Sequence, residues 1–382
     1  MLINRSGTMV VPFMSIYCIQ QLHFSIVQAG TIMALFGVGA ISGSFVGGRL
    51  TDKLGFYDLQ VGALLSGGLL FIILGYLHTF LGLSIGILIL SFCNESFRPA
   101  NQTAIAHYSN EDNRTRSYSL NRLAVNLGWG VGGALGGFFA SINYHLLFWV
   151  DGCTNILAAL LLLRLMPRAN VKKTIQKIND TIVKVSPYKD KPYLFFIFLS
   201  MLFGMCFYQF FIMQPVFFKI QWHFTELFIG SLMALNGGII AATEMVLVHK
   251  LEGKKPGLIY ITIGVLVAGF GYVLLNLLPR DHLSAIFIVI LITIGEMTGM
   301  PFMNSYWISR TNVYNRGAYA ALYAMSWSFA QIVAPYFGSR LIDYGGFNLL
   351  WWVLGGISLI ASMGYWWLYY RTKDHLIISN NE

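Results

Sequence analysis

Seven ionisable residues stand inside long apolar stretches of the chain: Arg5, Glu95, Arg98, Arg122, Asp151, Glu244 and Glu296. Charge is costly at such positions, so groups found there pair with one another, face a cavity or carry protons. Glu95, Arg98 and Gln102 fall at i, i+3 and i+7, one face of a helix, which places Arg98 to pair with Glu95 and makes that glutamate a poor proton carrier. Glu296 shares its face with Thr293, Met300 and Met303 and has no basic neighbour one turn away. It is therefore suited to take up and release a proton. Arg5 is able to reverse the two roles by neutralising either glutamate. The plainer alternative is a structural ion pair at Glu95 and a buried neutral acid at Glu296. No nucleophile and base pair, metal-ligand cluster, phosphate loop or filter-like repeat accompanies these charges, which argues against an enzyme or a channel.

The elements that position these residues are read from hydropathy. Hydrophobic residues make up 56% of the 382 and charged residues only 11%, with mean hydropathy +0.63, against about 25% charged in soluble domains. Apolar runs of near-bilayer length recur throughout, and in lipid the backbone must satisfy itself, which selects helices. The reading is an all-α membrane protein of about twelve spans, at residues 1 to 22, 26 to 48, 58 to 78, 81 to 107, 116 to 141, 144 to 166, 191 to 218, 225 to 249, 256 to 278, 284 to 310, 316 to 342 and 348 to 370. The first segment lacks a small-residue cleavage site and is read as a span containing Pro12, not as a signal peptide. Every second connection is basic: Arg49 and Lys53, Arg114 and Arg116, Arg164 to Lys191, Lys250 to Lys255, Arg310 and Arg316, then Arg371 and Lys373. That alternation puts both termini in the cytoplasm and explains the net charge of +9 without nucleic acid. Cys18, Cys93, Cys153 and Cys206 have no metal or disulfide spacing and are read as packing residues. Trp351 and Trp366 are read as interfacial anchors.

The chain repeats itself. Residues 21 to 37, QLHFSIVQAGTIMALFG, align without gaps to 221 to 237, QWHFTELFIGSLMALNG, and about the same offset relates NESFRP at Glu95 to GEMTGMP at Glu296. Glu95 and Glu296 are thus counterparts in two six-span halves, 1–166 and 191–382, joined by a polar linker at 167–190. His23 and His223 are duplicated too, which points to a turn role more than to pH sensing.

The turn after the second span reads Gly48-Arg-Leu-Thr-Asp52-Lys53-Leu-Gly55, and it resembles the major facilitator superfamily signature. The fifth span reads Gly128-Trp-Gly-Val-Gly132-Gly133-Ala-Leu-Gly136-Gly137, which resembles the antiporter signature of that superfamily's drug and metabolite proton exporters. Phe56, Tyr57 and Asp58 replace the usual basic continuation of the first, and Gly133 stands where the second usually has proline. The resemblance implies a major facilitator fold whose first, fourth, seventh and tenth spans line the cavity. That selects Arg5, Tyr17, Asn94, Glu95, Arg98, Asn101, Gln209, Gln214, Glu296, Asn304 and Tyr306 as cavity candidates, with about half of the uncharged ones serving as interhelical contacts instead. It also makes Gly48, Asp52, Gly55, Arg116, Gly128, Gly132, Gly136 and Gly137 parts of the conformational machinery. Arg122 and Glu244 become a gating pair between the fifth and eighth spans.

The expected function is secondary transport by alternating access, as proton-coupled export of small organic molecules such as drugs or metabolites. The alternative is a proton-coupled importer of a small nutrient such as a sugar or peptide. The expected partners are a small-molecule solute, protons and the lipid bilayer of a bacterial cytoplasmic membrane. No cofactor, metal or nucleic acid is expected, and the unit is read as a monomer.

Overall fold

The computed structural model describes residues 1–109, 111–168, 187–310 and 316–379. The side chains of Asp52, Ala106, residues 111–119, Arg122, residues 316–318 and residues 373–379 lie outside that description. Among the described residues the chain is helical: α1 Leu2–Ser6, α2 Val10–Gln20, α3 Ile26–Leu54, α4 Phe56–Leu74, α5 Phe80–Glu95, α6 Phe97–Tyr108, α7 Glu111–Ile142, α8 His145–Leu165, α9 Lys191–Ile212, α10 Gln214–Ile220, α11 Glu226–Leu251, α12 Gly257–Leu277, α13 His282–Ser309 and α14 Arg316–Ser379. Ten stretches of these helices are long and apolar enough to cross a membrane, and the last, Tyr319–Thr372, leaves helical geometry at Gly345 and Gly346, so it forms two spans.

Three predicted spans are interrupted, each for a local reason. The span expected at 1 to 22 is two short helices parted at Gly7, Thr8 and Met9, because a carboxylate elsewhere in the chain takes up the backbone donors there. The fourth span divides at Ser96 between α5 and α6. Pro99 has no N–H to give the Glu95 carbonyl and its ring crowds that oxygen; the Ser44 hydroxyl donates to it instead, at 3.3 Å. The seventh span divides at Met213, two residues before Pro215.

The sequence repeat is also a backbone repeat. His23 and His223 both adopt φ 55°, the left-handed region that non-glycine residues rarely enter. The following amide reaches back across the same turn in each copy, Phe24 N–H to Cys18 C=O at 2.9 Å and Phe224 N–H to Phe218 C=O at 3.0 Å. Ser25 then caps α3 by accepting from Gln28 N–H at 3.1 Å, and Thr225 accepts from Phe228 N–H at 3.3 Å. Both histidines therefore close turns. At the other end of α3, Gly55 at φ 89° stops one helix and starts the next. A side chain there is strained.

Two compact units emerge. One joins the described residues of Met1–Thr174 to Phe211–Ala241; the other joins those of Ile175–Phe210 to Ala242–Glu382. The second unit holds a large aromatic core in which Tyr193, Phe196, Phe203 and Tyr365 pack on Ile261, Val265 and Met303. Trp351 belongs to the interior of this unit: it is fully buried and stacked on Tyr272 at 6.1 Å between ring centres. The expectation that it anchors at the interface is therefore corrected, whereas Trp366 is exposed. Local sequence could not distinguish the two rings, because the face Trp351 presents is set by α12. Cys18 and Cys206 are buried, while Cys153 is exposed on α8.

Candidate functional site

In the first unit the site grows from the break between α1 and α2. Helix N-termini expose backbone N–H groups without internal partners, and here α8 supplies the acceptor. Asp151, fully buried, accepts from Met9 N–H at 3.0 and 3.1 Å and from Val10 N–H at 2.8 Å. One turn along α8, Asn155 donates to the Asp151 carbonyl at 2.8 Å and accepts from the Asn4 amide at 2.7 Å. The short helix α1 is thereby fixed to α8 through Asn4, and the start of α2 through Met9 and Val10.

Helix α7 holds the other side of α1, using the glycine stripe of the fifth span. A Cβ added at Gly128 would lie 2.5 Å from the Arg5 Cβ, and one at Gly132 would lie 3.2 Å from the Ser6 carbonyl oxygen. Gly136 meets the Phe13 ring on α2. The remaining glycines face α11: a Cβ at Gly137 would lie 2.5 Å from the Glu226 carbonyl and 2.7 Å from the Gly230 Cα, and Gly133 abuts Met233. Small residues allow this backbone-to-backbone approach within a membrane. The motif thus has two faces, with Gly128, Gly132 and Gly136 on the first span and Gly133 and Gly137 on the eighth.

So clamped, α1 delivers Arg5 to Glu95. The Arg5 Nη1 lies 3.8 Å from Glu95 Oε1, with both side chains about nine-tenths buried, and Arg98 Nε lies 3.4 Å from Glu95 Oε2. Glu95 is shared between two arginines, one buried and one, Arg98, whose side chain is 62% exposed. Sequence spacing brings Arg98 to Glu95; the fold places Arg5, which the sequence left open to either glutamate, at Glu95.

The counterpart glutamate lies in the second unit. Glu296 on α13 is buried, as is Thr293 one turn before it. On the neighbouring α12, the Tyr272 hydroxyl donates to the Cys206 carbonyl of α9 at 2.7 Å. No lysine or arginine occurs anywhere in α13.

The uncharged candidates divide between packing and open positions. Gln209 donates to Ala334 C=O at 2.6 Å and lies against Gly338, an interhelical contact. Asn101 donates to Asn121 at 3.2 Å, and Trp307 donates to the exposed Asn304 at 3.3 Å. Tyr306 packs on Phe196 and receives Arg310 at 3.5 Å. Tyr17 and Gln214 are buried with side-chain polar atoms that have no hydrogen-bond partner among the described residues, as is the Asn94 carbonyl oxygen. Gly48 sits in α3 with no described atom within 4 Å of an added Cβ. The side chains of Asp52, Arg116 and Arg122 lie outside the described residues, so the gating pair has only its partner on view, Glu244, buried in α11.

Two polar clusters escape the sequence reading. At the α10 to α11 turn, Lys219 Nζ lies 2.8 Å from Glu226 Oε1, and Tyr144 donates to the same oxygen at 2.9 Å with Gln20 Oε1 at 3.4 Å. Burial and then the Glu226 charge push the Tyr144 phenol well above its usual range, so it stays a donor. The available signal was a mismatch in the repeat: Glu226 stands where the first copy has Ile26. In the second unit Arg310 clasps Asp190 with two bonds, at 2.9 and 2.7 Å, and Tyr319 donates to Asp190 at 3.0 Å. Burial opposes the Arg310 charge, but Asp190 outweighs it and holds the guanidinium above its ordinary value.

Comparison with known proteins identifies the family. The family model of the Major Facilitator Superfamily matches residues 2–328. An uncharacterized MFS-type transporter of Bacillus subtilis, YqjV, is 23% identical over 380 residues, covering 94% of this chain and 88% of its own. The multidrug resistance protein MdtH of Proteus mirabilis is 21% identical over 375 residues, covering 94% and 90%. Among solved structures, a variant of the nucleoside transporter NupG superposes with a TM-score of 0.82 at 12% identity, covering 96% of this chain and 98% of its own. A POT family transporter in complex with 5-aminolevulinic acid superposes at 0.79 with 16% identity, covering 95% and 93%. With its fold, its intramembrane charges and a family match over most of its length in agreement, the chain belongs to the major facilitator superfamily of membrane transporters.

Proposed function

We propose that this transporter is a proton-coupled exporter of small organic molecules, drugs or metabolites, working by alternating access in a bacterial cytoplasmic membrane with both termini in the cytoplasm. In this reading the halves 1–166 and 191–382 move about a solute held between them near mid-membrane. Glu296 carries the coupling proton, and Glu95, Arg5 and Arg98 bind the solute.

The observation that carries the reading is the different setting of the two repeat-related glutamates. Glu95 is tied to two guanidinium groups, whereas Glu296 is buried in a helix that has no lysine or arginine. A carboxyl that alternates between protonated and ionised states needs the second setting. Export is favoured over import by the α7 glycine stripe, whose Gly137 and Gly230 bring backbones together, and by the likeness to a protein named for multidrug resistance.

The test is genetic, then biochemical. A deletion strain is expected to be more susceptible to at least one organic compound and to retain it, and the wild-type gene but not Glu296→Gln is expected to restore both. A strain that instead fails to take up a nutrient, rescued by the same gene, would replace export by import.

A further inference from the structure

We infer that the Tyr144 hydroxyl is a hydrogen-bond toggle: it is bonded to Glu226 in the conformation described here, and it passes to Gln20 when the two halves part at this end. The inference rests on alternating access between the halves 1–166 and 191–382, and needs neither the direction of transport nor the identity of the solute. Gln20, Tyr144, Lys219 and Glu226 all lie in one compact unit. By sequence, however, Gln20 and Tyr144 precede the linker, whereas Lys219 and Glu226 follow it. A bond from Tyr144 to Glu226 therefore joins segments that alternating access has to separate.

Tyr144 is 5% exposed, and a buried hydroxyl left without a partner is costly. Its oxygen has two acceptors in reach, Glu226 Oε1 at 2.9 Å and Gln20 Oε1 at 3.4 Å. One belongs to each half. The carboxylate bond is the shorter and, being charge-assisted, the stronger. The Tyr144 ring packs on Tyr17 of α2, with 5.9 Å between ring centres, and Gln20 follows Tyr17 by one helical turn. A ring that stays on Tyr17 thus keeps its hydroxyl beside Gln20 after Glu226 has left. Glu226 in turn keeps Lys219 Nζ, 2.8 Å away and within its own half. Parting exchanges one hydrogen bond for another and strands no charge, whereas breaking a buried ion pair between the halves would strand two. In the conformation described, the close approach of Gly137 to the Glu226 carbonyl holds that residue within reach of Tyr144.

The test uses the purified full-length chain with its four native cysteines replaced by alanine. Spin labels are placed at Ser141→Cys and Leu227→Cys, both exposed positions. Pulsed electron paramagnetic resonance then gives the ratio of longer to shorter label separations. Tyr144→Phe is expected to raise that ratio about fivefold, because the charge-assisted bond it removes is about twice as strong as the neutral one it also removes. Gln20→Met, which takes away only the acceptor of the parted state, is expected to lower the ratio by a similar factor and to change nothing when added to Tyr144→Phe. A merely structural contact would move both variants the same way. A Tyr144→Phe ratio equal to or below that of the parent, a Gln20→Met ratio equal to or above it, or a Gln20→Met effect that persists in Tyr144→Phe would each overturn the toggle. Gln20→Met alone decides the matter if Tyr144→Phe does not fold. The two readings fail separately: opposite shifts together with inward solute flux keep the toggle and remove export, and proton-driven export with neither shift removes the toggle alone.

Discussion

Replacing Asp151 offers the sharpest test of how this chain holds its broken first span. The carboxylate is buried and accepts from two backbone donors, Met9 N–H and Val10 N–H. In Asp151→Leu both donors are orphaned in apolar surroundings. A buried unsatisfied donor costs about 1–3 kcal/mol, so the loss is about 2–6 kcal/mol. Asp151→Asn retains one acceptor oxygen and is expected to lose roughly half as much. At about 2 °C per kcal/mol, the low end for large domains, Asp151→Leu melts at least about 4 °C below the parent in detergent. The control is Asp58→Asn, which removes an exposed carboxylate 3.5 Å from Arg168; exposed pairs contribute about 0–1 kcal/mol, so its melting temperature stays close to that of the parent. If Asp151→Leu is as stable as the parent, Asp151 does not hold the break and the clamp on Arg5 needs another basis.

Gly137→Leu places a side chain where a Cβ already lies 2.5 Å from the Glu226 carbonyl; the protein should still reach the membrane in size-exclusion assays but lose transport at least tenfold, while Gly48→Ala, with open space around it, keeps near-parental activity. Because His23 and His223 sit at φ 55°, His23→Val should destabilise by about 1–2 kcal/mol and His23→Gly should not, with the pH profile of transport unmoved in His23→Gly; a shifted profile would restore a sensing role. Arg310→Lys forfeits the two-bond clasp on Asp190 and is expected to lower detergent stability by about 1–3 kcal/mol, an effect absent in a background that already lacks Asp190.

Much of this was legible in the sequence because lipid leaves few options. Apolar runs located the spans, and the 200-residue self-similarity around His23 and His223 anticipated two turns with the same backbone angle. Helix spacing placed Arg98 beside Glu95. What the sequence hid was distant or set by packing. The Gly7–Met9 break depends on a carboxylate about 140 residues away, and nothing local to α1 announces it. Trp351 looked interfacial because a tryptophan near a span end has no local mark of the ring that covers it. The second face of the α7 stripe became visible only when Gly230 was seen against Gly137.

The central claim is outward, proton-driven movement of an organic solute with Glu296 as the proton carrier. Inside-out vesicles with an acidified lumen, supplied with a mixture of organic acids, amides and amines and counted by mass spectrometry, test it most directly. The account predicts accumulation of at least one solute that collapses when the gradient is dissipated and is lost in Glu296→Gln. Accumulation that survives in Glu296→Gln, or that appears only in right-side-out vesicles with acid outside, would contradict it.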